Sequence, residues 1–173
     1  MIIQIIGRLR QLLNQGLDFL APLGQFSARV WIAYIFFTAG LVKIQSWVTT
    51  ETLFTYEYQV PLLPPVMAAV LATGAELLLP VLVVLGLGGR FIYVVLFVYN
   101  AIAVASYPYL WTTAGLPGLL QHLNWGLLIM MLMFFGSGKI SLDYWLQQRF
   151  SPKASLVKNP SRPHKFHKLG VNP

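Results

Sequence analysis

Lys43, Glu76, Asn100, His122 and Asn124 all interrupt runs that are otherwise apolar. A lysine and a glutamate can pair, or pass a proton. A histidine works as an acid or a base near neutral pH, and the two asparagines offer donors and acceptors. The clearest case is GAELLLP, Gly74–Pro80, where Glu76 is the only charge between Val66 and Gly89. A charge at the centre of a bilayer costs about 2.5–3.5 kcal/mol on insertion scales, so it normally faces protein or water and finds a partner. Lys43 is the candidate partner.

Other chemistry is thinly represented. The chain has no cysteine, which excludes disulfides, thiolate zinc sites, Cys-ligated iron–sulfur clusters and CxxC relays. GSGKIS is no phosphate loop: Met133 stands where the first glycine belongs, and Ile140 follows the lysine. His164 and His167 form an HxxH in a polar tail, a weak metal signal, and no metal site is expected.

The elements that must hold these residues follow from composition. Of 173 residues, 57% are apolar and 10% charged, against about 25% charged in soluble domains. An integral membrane protein is the expectation. Four apolar segments approach the length needed to cross a hydrocarbon core of about 30 Å: residues 30–47, 66–87, 91–107 and 119–135. The fold class expected is all-α, a four-helix transmembrane bundle.

Two flanks complete it. Apolar residues at 2, 5, 6, 9, 12, 13, 17 and 20 are helically spaced, so residues 1–25 read as an amphipathic helix lying in the membrane surface. A short helix is expected over 140–150. Residues 151–173 are basic and proline-rich, and read as a disordered tail attracted to anionic lipid. The net charge is +7, of which residues 139–173 carry +6 (seven Lys/Arg, one Asp). That distribution marks a tail and argues against a nucleic-acid partner.

Arg29, Arg90 and Lys139 flank the segments on one side, whereas Val48–Pro65 and Pro108–Gly118 contain no Lys or Arg. The positive-inside rule then puts both termini in the cytoplasm of a multi-pass inner-membrane protein, with both long connections outside. Counting from those basic anchors, Lys43, Glu76 and Asn124 lie 14, 14 and 15 residues away, or roughly 21–23 Å at 1.5 Å per residue. Gln45 and His122 fall slightly beyond, and Asn100 at about 15 Å by the same rise. These six residues, Lys43, Gln45, Glu76, Asn100, His122 and Asn124, form the expected intramembrane polar pocket. Trp47, Tyr56, Tyr58 and Trp125 are its expected aromatic walls. The Lys43–Glu76 pair serves such a pocket or acts as a structural staple; the residues alone leave both open.

The stretches FFTAGLVKIQSW (Phe36–Trp47), YEYQVPLLPP (Tyr56–Pro65), TGAELLLPVLVVLGLGGR (Thr73–Arg90), QHLNWG (Gln121–Gly126) and GSGKISLD (Gly136–Asp143) resemble the DoxX family of small bacterial membrane proteins. The resemblance implies a four-helix inner-membrane protein. It is related to the DoxD subunit of thiosulfate:quinone oxidoreductase, with other relatives linked to redox stress. The expectation is therefore an accessory membrane subunit of a redox or oxidative-stress assembly, with a redox partner protein. The pocket would hold a quinone-like lipid, and no catalytic residue is assigned. The competing expectations are a small proton- or ion-linked transporter and a non-catalytic scaffold.

Overall fold

The computed structural model describes residues 2–150, and the expected disordered tail, 151–173, lies outside them. Within these residues the chain is all helical: α1 (Ile2–Gln45), α2 (Trp47–Tyr56), α3 (Pro65–Leu85), α4 (Gly89–Ser106), a 3₁₀ turn (Pro108–Trp111), α5 (Leu116–Phe135) and α6 (Leu142–Phe150). Four of these, α1, α3, α4 and α5, are long and apolar enough to cross a membrane. Their outward faces carry exposed Leu, Val and Phe, such as Leu78, Val98, Leu127 and Phe134. In water such a surface would aggregate; against lipid tails it is the surface expected.

Helices α1 and α3 pack together, as do α4 and α5. The core between them is built by Ile32, Phe36, Leu79, Val83, Tyr93, Leu96, Ile129 and Leu132. Small residues let α1 and α3 approach closely. Gly40 is the tightest point: a Cβ there would lie 2.9 Å from Leu77 Cδ2 and 3.0 Å from Glu76 Cβ.

Two elements differ in extent from the segments read in the sequence. The N-terminal stretch is helical from Ile2, as expected, but continuous with the first span, since α1 runs unbroken to Gln45. At 1.5 Å per residue, 44 residues give about 66 Å, twice the hydrocarbon thickness. Residues 4–20 are exposed, so no tertiary contact breaks the helix near 25. Pro22 removes one hydrogen bond inside it without ending it. The second concerns the connection 48–65, most of whose first half is helical, in α2. Its sequence WVTTETLFTY is rich in threonine, a poor helix former, so propensity is silent. Thr50 and Phe54 are buried on one side of it, where Phe54 clusters with Ala68 and Ala69 of α3. The Thr50 hydroxyl donates to the Lys43 carbonyl at 3.0 Å, one of the carbonyls left free where α1 ends.

Arg29 marks the other end of the bundle. Expected as a surface anchor, it is fully buried. Its guanidinium donates to the carbonyls of Val83 and Val84 in the last turn of α3, and to that of Ile140. A cation at a helix C-terminus satisfies carbonyls that have no helical partner. Gly86 follows in the left-handed region (φ 65°), and a Cβ there would strike Arg29 and Ser141. Arg29 thus joins α1, α3 and the turn leading into α6.

Candidate functional site

Glu76 lies one turn before Pro80, on the face of α3 that also buries Ala69 and Thr73. Lys43, near the end of α1, reaches it directly: Nζ is 2.8 Å from Oε1 and 2.6 Å from Oε2. The lysine and glutamate side chains are 19% and 9% exposed. The Tyr99 hydroxyl, from α4, donates to Glu76 Oε1 at 2.8 Å. Three helices therefore converge on one carboxylate, which accepts from an ammonium and a phenol. That arrangement suits an ionised carboxylate.

These groups sit in the wall of a cavity of about 500 Å³, within the range of small-molecule sites. The rest of the wall is mainly apolar and aromatic. Phe36 lies edge-on to both Tyr99 and Trp125, with ring centroids 6.1 Å apart in each case. Trp125 in turn meets the His122 ring at 4.7 Å. At the α2 end, Phe54, Tyr58 and Tyr107 form a continuous edge-to-face series at 4.8 and 4.7 Å. The Gln59 amide donates to the Ser106 carbonyl at 2.7 Å and pins the α2–α3 connection over α4. Burial, reinforced by the nearby Tyr107, Glu57 and Glu76 charges, pushes the Tyr58 hydroxyl up to about 12, so it is a neutral phenol.

His122 borders this cavity and a second, more open groove between α4 and α5, of about 510 Å³. Its Nδ1 is 2.8 Å from Asn100 Oδ1, and the Asn100 amide donates to the His122 carbonyl at 3.1 Å. Asn100 is buried and faces the groove. Gly126 leaves space for it, since a Cβ there would stand 3.3 Å from Asn100 Nδ2.

Of the ten residues expected at the site, Lys43, Glu76, His122, Tyr58 and Trp125 line the main cavity. Asn100 supports it from behind through His122. Gln45 and Asn124 do not take part: both are exposed. Each stands two residues from one that does line the cavity, Lys43 and His122, and two residues turn a helix by about 200°. Depth was matched, but azimuth was not. Tyr56 is 83% exposed at the end of α2. Trp47, the first residue of α2, instead packs against the cluster of Phe54, Ala68 and Ala69, its indole donating to Glu51 one turn on at 2.6 Å.

The residue that sequence reasoning missed is Tyr99. Counting polar interruptions finds amides and charges but passes over a phenol inside a hydrophobic run. Its adjacency to Asn100 was the available signal. The anchors also misled. Lys139 lies four residues beyond the end of α5, in a turn, so counting from it overstates the height of His122 relative to Asn100. Measured from helix ends, His122 is 13 residues from Phe135 and Asn100 is 11 from Gly89, which brings them within about 3 Å of one height.

A family model described as DoxX matches residues 24–109. The chain belongs to the DoxX family. The match covers α1 from residue 24, α2, α3, α4 and part of the 3₁₀ turn, hence Lys43, Glu76, Tyr99 and Asn100. His122, Trp125 and the GSGKISLD stretch lie beyond it. In this DoxX chain the carboxylate cluster is thus built wholly within the matched region, and α5 adds the imidazole and indole. No curated protein and no solved structure matches the chain. Among the described residues, no three His, Asp or Glu side chains gather as a metal site would need.

Proposed function

We propose that this DoxX-family membrane protein is an accessory subunit of a redox assembly and that its cavity takes the ring of a quinone-type lipid. The observation that carries this reading is the composition of the cavity wall: flat aromatic and aliphatic surface for a ring, with Lys43 and His122 set in it as polar groups for the ring oxygens. An open side between helices suits a ligand that arrives from lipid. In the Lys43–Glu76–Tyr99 cluster the carboxylate uses the ammonium and the phenol, and the ammonium keeps one N–H for a ligand oxygen.

The same reading places the protein in a bacterial inner membrane, with both termini in the cytoplasm and α2 outside. Support comes from Arg90 and Lys139 at the α6 end, and from the absence of Lys and Arg over 48–65. The cavity then opens near the outer leaflet, and a redox partner protein would deliver or withdraw electrons. The test is to extract and quantify lipid quinone from protein purified in mild detergent. Quinone above the bulk membrane ratio is expected for the wild type, and loss of it for Ala72→Phe, which fills the cavity. Equal quinone in both would remove the ligand from this cavity.

A further inference from the structure

We propose that the cavity prefers the hydroquinone form of its ligand to the quinone form, an inference that rests on the quinone-type reading above. The argument starts from Asn100. A backbone carbonyl only accepts, so the atom of Asn100 facing the His122 carbonyl at 3.1 Å must be the amide nitrogen. The amide oxygen therefore faces His122 Nδ1 at 2.8 Å. A carboxamide oxygen also only accepts, so Nδ1 carries the ring hydrogen. In the neutral imidazole the other nitrogen, Nε2, is left with a bare lone pair.

Nε2 has no hydrogen-bond partner among the described residues, and it is not among the enclosed unpartnered atoms, so it is accessible. The ring borders the cavity, beside Trp125. Asn100 thus fixes an acceptor in the wall. A quinone carries only acceptors at its ring oxygens, and one of them set against Nε2 opposes two lone pairs. A hydroquinone hydroxyl donates to Nε2, and a hydroquinone oxygen can still accept from the free N–H of Lys43. The wall therefore holds an acceptor and a donor, a combination that the hydroxyls of a hydroquinone meet and the carbonyls of a quinone do not. Asn100 is a positioning residue here: it acts through the imidazole.

The experiment is anaerobic calorimetric titration of the full chain in detergent, at a pH where His122 is neutral. Duroquinone and tetramethylhydroquinone serve as probes. The hydroquinone is expected to bind about tenfold more tightly or better, the ratio that one added hydrogen bond is worth. His122→Phe should abolish the preference, bringing the affinities for the two probes together. Asn100→Leu frees Nδ1 and lets the other tautomer form, so the ratio should fall or invert. Gel filtration and circular dichroism check that each variant folds, and His122→Phe decides the matter if Asn100→Leu does not. Equal binding of both probes to the wild type, or tighter quinone binding, overturns this inference and leaves the quinone-type site standing. So does a preference that survives in His122→Phe. Binding of neither probe overturns both.

Discussion

Removing either member of the Lys43–Glu76 pair strands the other, and the structure says which loss is worse. In Lys43→Met, Glu76 keeps its charge at 9% side-chain exposure, with only the Tyr99 hydroxyl left to it. In Glu76→Gln, Lys43 is 19% exposed and can draw in water, and the new amide oxygen still accepts from both Tyr99 and Lys43. Breaking a buried pair costs about 3–5 kcal/mol, so Lys43→Met belongs near the upper figure and Glu76→Gln near the lower. At about 2–4 °C per kcal/mol for a chain of this size, Glu76→Gln should lower the melting temperature by about 6–12 °C, and Lys43→Met by more. The double variant leaves no stranded charge and should recover most of the loss, so its cost should fall well below the sum of the two single losses. The assay is thermal unfolding of the detergent-solubilised protein for all four members of the cycle. Strictly additive losses would falsify the reasoning, because two groups 2.6 Å apart in a mainly apolar wall cannot act independently. If the double variant is stable yet binds no quinone probe, the pair serves the cavity; if it is stable and binds normally, the pair is a staple.

Gly40→Leu should cost about 1–3 kcal/mol by forcing α1 off α3 beside the ion pair. Gly74→Ala, in open space on α3, should be neutral or stabilising in the same melting assay. Tyr58 gives a pH dependence: its hydroxyl is raised in the fold, so its contribution is complete below pH 10 and is lost as pH climbs through about 12. Between those values the wild type should lose melting temperature more steeply than Tyr58→Phe, and identical slopes would show that Tyr58 is not enclosed. A cysteine introduced at Leu62, which is fully exposed, should react with an impermeant thiol reagent in intact cells, since the chain has no other thiol. Protection until the cells are opened would invert the proposed orientation.

The residues made the spans legible because a bilayer demands long apolar helices. The observed α3, Pro65–Leu85, begins and ends within two residues of the segment read from hydropathy alone. The pairing of Lys43 with Glu76 was legible for the same reason: two charges at one depth on neighbouring antiparallel helices have few other partners. What stayed hidden depended on angle and on tertiary contact. Gln45 and Asn124 share depth with the site but face away from it. α2 exists because Thr50 and Phe54 find a surface to bury against, which no local pattern records. Arg29 shows a related limit: a basic residue flanking a span reads as a surface anchor, yet this one is enclosed because three backbone carbonyls receive it.

The central claim is that a quinone-type ring occupies the cavity around Lys43, Glu76 and Tyr99. A photoreactive quinone analogue, crosslinked to the protein in native membranes and mapped by peptide mass spectrometry, tests it most directly. The account predicts adducts on cavity-wall residues such as Phe36, Ala72 and Trp125, suppressed by excess unlabelled quinone and by Ala72→Phe. Adducts confined to lipid-facing residues such as Leu78 and Leu127, insensitive to competitor, would contradict it.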